Sequence, residues 1–275
     1  MTVEDRVAAY YAVTGLGRRI EQVLAEAGKD LDALTLDDLA PIDAFHVRGR
    51  RATEELAVWA GLRSGDRVLD VGCGLGGTGR YLAAAVGCRT TGVDLTEEYC
   101  RTAEMLSARL GLADRTEFRT GSALALPVLD AAFDVAWTEH VQMNVADKER
   151  FYGEMRRALA AGGRLAFHDV FSGEREGVLY PVPWAADAAI NHLMSVDDLR
   201  SLLADQGFRE IRWQDKTAAS IAFFRTVLDR LERKGWMPLG LHLLMGESAQ
   251  VKFANMLRNL EEDRIRVIQA VFSRG

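Results

Sequence analysis

Residue types that would mark a specialised environment are scarce in this chain. Among 275 residues there are three cysteines, Cys73, Cys88 and Cys100, an odd number without metal-like spacing to histidine. That argues against a disulfide framework and for free thiols in a reducing compartment. Cys73 sits inside a glycine-rich loop where any small side chain suffices, so it is not read as a nucleophile. Basic charge is also short: 34 Lys and Arg face 40 Asp and Glu, a formal charge of -6, which disfavours a nucleic-acid partner. The one basic cluster, RGRR at 48–51, reads as a solvated helix start. No run approaches the roughly 18 to 20 apolar residues of a membrane span. MTVEDRVAAYY carries acids early and no signal-peptide apolar region. The expectation is a cytoplasmic protein with no membrane contact and no bound metal. Glu139 and Asp169 lie at suitable strand ends, but no dense acid and amide cluster accompanies them. What remains, at 48% hydrophobic and 27% charged, is an ordinary globular enzyme composition.

Along the chain, residues 1–64 show apolar positions at helical spacing, broken near Thr14–Gly17 and at Pro41. From Arg67 onward the pattern changes. Short apolar runs (RVLDV, RTTGVD, TEFRT, DVAWT, RLAFHDV) alternate with helical stretches near 78–86, 97–110 and 148–159. Such alternation predicts a parallel sheet with helices on both faces. A helix near 196–205 and the strand FREIRWQ follow. A helical insertion then spans about 215–262, and RIRVIQAVF closes the chain as a strand. The expected organisation is a helical cover at 1–64 and a core at 65–275 carrying that insertion.

The densest signal is VLDVGCGLGGTGRY at 68–81, five glycines in eight positions where the first strand turns into the first helix. In wound sheets this crevice binds ligands. Asp94 closes the next strand, where an acid can accept hydrogen bonds from ribose hydroxyls. Gly72, Gly74 and Gly77 satisfy the dinucleotide pattern G-x-G-x-x-G. Asp70, Gly72, Gly74 and Gly76 equally satisfy D-x-G-x-G-x-G, which resembles motif I of the class I S-adenosylmethionine-dependent methyltransferases. GSALALP at 121–127, FDVAWTEHVQMNV at 133–145 and ALAAGGRLAFHDV at 158–170 are similar to later strands and loops of the same family. The resemblance implies a Rossmann-like sheet in the order 3-2-1-4-5-7-6, its last strand antiparallel. It implies S-adenosylmethionine as cofactor, held by Asp70, the loop glycines, Asp94, Leu95, Ser122, Ala123 and Glu139. Many family members carry an acid where this chain has Ser122. A hydroxyl can hydrogen-bond adenine there, as can the Ala123 backbone.

Within the family, DAFHVRGRRAT at 43–53, TEHVQMN at 138–144 and YPVPWA at 180–185 resemble the sarcosine/dimethylglycine N-methyltransferase-like group. That implies a small-molecule acceptor, most simply an amine nitrogen. O- or C-methylation of a hydrophobic metabolite stays open, given the apolar and aromatic stretch 221–246, as does a silent cofactor-binding protein. Methyl transfer needs an in-line, desolvated nucleophile and sometimes a base. His140, just past the fourth strand, and His168, at the end of the fifth, are the catalytic candidates. Alternation of strand side chains lets only one of His168 and Asp169 face substrate, and His168 is the choice. Met143, Asn144 and Trp184 are assigned to the acceptor, Trp184 offering a π face to an ammonium. Arg48 and His46 could fold over the pocket, the arginine suiting a carboxylate. The same stretch 221–246 reads equally as the core of a lid or as a dimer surface, so a homodimer stays open as well.

Overall fold

The computed structural model describes residues 1–275. Its strands are β1 (Arg67–Val71), β2 (Arg89–Asp94), β3 (Thr116–Thr120), β4 (Phe133–Glu139), β5 (Leu159–Ser172), β6 (Phe208–Asp215) and β7 (Ile265–Arg274). They form one sheet in the order β3-β2-β1-β4-β5-β7-β6, as the family resemblance implies. The first five strands run parallel, and β7 is antiparallel to both β5 and β6. The central strand β1 is buried from Val68 to Val71. A strand covered on both faces is apolar on both rather than alternating, and Asp70 is the single polar residue in this run.

Four helices pack between successive strands: α5 (Gly77–Tyr81), α6 (Glu97–Arg109), α7 (Lys148–Ala158) and α8 (Val196–Asp205). Phe151, Tyr152, Leu199 and Leu203 of α7 and α8 bury one face of the sheet against Phe167 and Phe171. The sequence reading had one helix over 78–86. The chain instead winds as α5 and then a π-helical turn, Leu82–Val86, ended by Gly87 at φ 87°.

Before β1 lie α1 (Val3–Tyr11), α2 (Leu16–Glu26), α3 (Leu36–Asp43) and α4 (Arg50–Trp59). Thr2 with Asp5, and Thr35 with Asp38, form capping boxes that start α1 and α3. On α2, Leu16, Ile20 and Leu24 recur every fourth residue and are buried. Each such side chain contributes about 1.5–3 kcal/mol of burial. Between β6 and β7 lie α9 (Thr217–Lys234), α10 (His242–Met245) and α11 (Ala249–Glu261). Phe224 of α9 packs on Phe253 of α11, ring centroids 5.6 Å apart. No helix is long and apolar enough to cross a membrane.

The basic cluster at 48–51 is internally paired rather than a free patch. Arg50 meets Asp37 at 2.6 Å, and Arg48 meets Glu55 at 2.6 Å with its side chain only 7% exposed. Arg48 is therefore not solvated, contrary to the sequence reading.

Candidate active site

At the carboxyl ends of β1, β2 and β4 the glycine loop opens onto a cavity of about 780 Å³. Its backbone is bent by Gly72, Gly74 and Gly76, at φ 77°, 52° and 76°. The sequence reading gave all three the task of admitting a ligand, but the surroundings separate them. A Cβ on Gly76 would come within 2.5 Å of the Phe118 ring, and Gly76 does not line the cavity. Its role is packing on β3. A Cβ on Gly72 would overlap the Val141 side chain, while one on Gly74 would meet no atom within 4 Å. Gly74 alone borders open space that a side chain would fill.

Two carboxylates face that space. Asp94 accepts from Gly74 N–H at 2.9 Å and from Thr96 N–H at 2.8 Å, which fixes its orientation. Burial still pushes its pKa up. Asp70 is buried, and its Oδ2 has no hydrogen-bond partner. Desolvation first, then the charges of Glu139 and Asp94, raise its pKa well above the usual carboxylate range. An unpartnered buried acid beside a second acid suits a cationic ligand bearing vicinal hydroxyls. The aminoacyl sulfonium nucleoside implied by the sequence has that chemistry.

Other predicted cofactor contacts divide similarly. Leu95 and Ala123 line the cavity; Ser122 does not. The Ser122 hydroxyl accepts from Leu124 N–H at 2.9 Å and donates to the Glu4 carboxylate on α1. It ties the N-terminal helix to the loop after β3, and Gly121 and Ala123 take the lining position instead. Glu139 lines the cavity, but its carboxylate accepts from Thr78 at 2.7 Å and from Thr53 at 3.2 Å. It thereby joins α5 to α4.

The two histidines play unequal parts. His140 lines the cavity, in left-handed backbone at φ 56°. Burial, then His168 and His46, hold its pKa well below normal, so the ring stays neutral. His168 is fully buried and lies behind it, the ring centroids 5.4 Å apart; it does not border the cavity. His168 Nε2 donates to Val47 C=O at 3.0 Å, and His140 Nε2 accepts from Val47 N–H at 3.4 Å. One peptide segment of the N-terminal region is thus fastened to the ends of β4 and β5. His168 is a clamp and not the substrate-facing group expected. Nor does Asp169 face substrate: its carboxylate accepts from the N–H groups of Val141, Gln142 and Val170.

Met143, Asn144 and Trp184 all line the cavity. Asn144, however, spends its amide on Trp184 C=O at 3.0 Å and Ile190 C=O at 2.9 Å, and accepts from the Tyr11 hydroxyl at 3.0 Å. Trp184 is buried and donates to Asn191 at 2.8 Å. Lys148 Nζ donates to the carbonyls of Gln142 and His192, each at 2.6 Å, and burial lowers its pKa to about 8. It holds the turn carrying Met143 and Asn144.

Sequence reasoning missed much of the far wall. Phe223 and Phe224 of α9 and Trp236 of the loop after it, with Tyr11 of α1, continue the cavity away from the glycine loop. The aromatic stretch 221–246 was the available signal. Also missed was Arg80, fully buried, which donates to Leu75 C=O at 2.6 Å and pairs with Asp43 at 2.5 Å. That pair seats α3 on the glycine loop.

Comparison with known proteins agrees with this geometry. A family model described as a methyltransferase domain matches residues 69–167. The sarcosine/dimethylglycine N-methyltransferase of Halorhodospira halochloris is 30% identical over 213 residues, covering 75% of this chain and 74% of that protein. The sterol 24-C-methyltransferase of Eremothecium gossypii is 30% identical over 182 residues, covering 63% and 48%. The chain belongs to the S-adenosylmethionine-dependent methyltransferases. Its matched stretch spans half or less of the first curated relatives, at 48%, 27% and 48% of their lengths. Among solved structures, geranyl diphosphate C-methyltransferase from Streptomyces coelicolor, a complex with Mg²⁺, geranyl diphosphate and S-adenosyl-L-homocysteine, superposes with a TM-score of 0.72. It is 17% identical, over 100% of this chain and 98% of that one, a likeness of fold.

Proposed function

We propose that the protein transfers a methyl group from S-adenosylmethionine to a bulky apolar small molecule. The observation that carries this reading is the cavity's continuity from Gly74 and Asp94 to Phe223, Phe224 and Trp236. Most of its lining is hydrophobic, 30 of 50 residues. Asp94 would take the ribose hydroxyls, Asp70 the cationic portion, and Gly74 gives the room. When bound, the cofactor supplies an electrophilic methyl, whose bond to sulfur breaks as the acceptor atom bonds to it, leaving S-adenosylhomocysteine. His140 borders this region as a neutral ring. A depressed pKa makes it a weak base, so its contribution is to orient the acceptor, whose proton passes to water.

The amine reading implied by the sequence loses a support here, because Arg48 is paired to Glu55 and lies outside the cavity lining. It keeps another in the extent of the match to the sarcosine/dimethylglycine N-methyltransferase. Release of S-adenosylhomocysteine, measured with a panel of phenols, polyketide alcohols, prenyl compounds, sarcosine and dimethylglycine, separates the two. Turnover confined to the amino acids would defeat the apolar reading. No turnover with any acceptor, despite tight cofactor binding, would favour a silent binding protein.

A further inference from the structure

The apolar wall contains one cation. On α9 the residues Phe223, Thr226, Val227 and Arg230 fall at positions i, i+3, i+4 and i+7 and all border the cavity. That spacing puts them on one helix face. Two other arginines of α9 are paired, Arg225 with Glu261 and Arg233 with Asp229. Arg230 takes part in neither pair, is partly buried, and is the only Lys or Arg in the cavity lining. Five acids share that lining: Glu4, Asp70, Asp94, Glu139 and Asp147. Glu4 takes the Ser122 hydroxyl, and Asp147 caps α7 by accepting from Arg150 N–H at 3.0 Å. Asp70, Asp94 and Glu139 sit at the strand ends. The cavity therefore gathers acidic side chains at the cofactor end and has its one Lys or Arg on the helical wall.

We infer that Arg230 receives a carboxylate borne by an otherwise apolar acceptor, orienting that molecule with its reactive end toward the strand ends. The inference rests on the apolar-acceptor reading above. The acids at the strand ends give a carboxylate no cationic partner, which disfavours the reversed orientation, and the planar guanidinium matches a carboxylate through two parallel hydrogen bonds. A single arginine neutralises one charge, which selects a carboxylate over a phosphate dianion.

The test uses decanoate and decan-1-ol, probes of one chain length that differ in the head group. Each is titrated at pH 7.5 into the full chain saturated with S-adenosylhomocysteine, read by tryptophan fluorescence. Wild type should bind decanoate more tightly than decan-1-ol, by about tenfold to a hundredfold, the usual worth of a charged hydrogen bond. Arg230→Met should erase that preference by weakening decanoate alone, with S-adenosylhomocysteine affinity unchanged. Arg230→Lys should keep part of it. Equal binding of both probes by wild type, or a preference that survives in Arg230→Met, overturns the role of Arg230 and leaves the apolar chamber standing. Binding of neither probe overturns both.

Discussion

The histidine clamp makes an acid-stability prediction that differs from the one an active-site histidine would make. His168 is fully buried as a donor to Val47 C=O. Burial, then the neighbouring His46, lowers its pKa to about 3, whereas the unfolded ring titrates near ~6.5. Below that value the unfolded chain binds a proton that the folded chain refuses. The stability tied to this ring is complete above about pH 6.5 and is lost as pH falls toward 3. The slope is about 1.4 kcal/mol per pH unit, so roughly 2 kcal/mol is lost on reaching pH 5. Asp169 opposes the trend: burial raises its carboxyl to about 6, so mild acid favours its folded form. Arg48 and Lys216 also face the ring. The diagnostic quantity is therefore the difference between wild type and His168→Leu, each unfolded in urea at pH 7.5 and pH 5. The variant leaves the Val47 carbonyl unpaired, costing about 1–3 kcal/mol at both pH values. Wild type should lose about 2 kcal/mol more than the variant on acidification. Equal losses would mean that His168 is not a buried neutral donor, and the clamp would have to be abandoned.

Three further outcomes are expected. Asp94→Ala should weaken S-adenosylmethionine and S-adenosylhomocysteine alike by about 1.5–3 kcal/mol, the worth of a charged acceptor; calorimetry checks this, and tight NADH binding would argue against the cofactor. Gly74→Val should abolish cofactor binding with the fold retained by circular dichroism, because the added atoms enter open space rather than packed core; its φ of 52° adds strain. His140→Ala should reduce turnover more than it weakens S-adenosylhomocysteine binding. That loss should fall short of the ~10²–10⁴-fold of a proton-transferring group, since the ring's low pKa makes it a poor base.

The parts legible in the sequence are those where a local pattern fixes the physics. The parallel sheet followed from the alternating elements, its strand order from the resemblance of the motifs to the methyltransferases, and the place of Asp94 from its position at the end of β2. What escaped depends on contacts between distant segments. Gly76 and Gly74 look alike in sequence, yet the partner of one is Phe118 and the partner of the other is empty space. Ser122 sits at an adenine-contact position, but Glu4, 118 residues earlier, turns its hydroxyl aside. His168 occupies the correct strand end, while Val47, 121 residues earlier, decides that it serves the backbone. Arg80 reads as an ordinary helix-surface arginine until Asp43 and two carbonyls surround it. Periodicity carries no information on such pairings.

These long-range pairings also argue that the N-terminal helices are integral to the cofactor crevice. Asp43 at the end of α3 holds Arg80, which in turn holds Leu75 C=O in the glycine loop. Thr53 of α4 and Thr78 of α5 share the Glu139 carboxylate. Gly77 has no side chain because Asp43 C=O occupies the space a Cβ would need. Removing these helices would strand a buried guanidinium, a cost of several kcal/mol when its acid partner is lost. It would also leave Glu139 without its Thr53 donor and remove Tyr11 and Val47 from the cavity wall. These losses fall on the crevice and reach β7, where Gln269 Nε2 donates to Ala52 C=O of α4 at 2.7 Å, whereas the α7–α8 face would be untouched. A protein lacking the first 64 residues should therefore fail to hold the cofactor, and it would also lose the cover that Leu56 and Ala57 of α4 give Trp137 and Val271 of the sheet. The chain's first quarter is part of the crevice wall, as the glycine loop is.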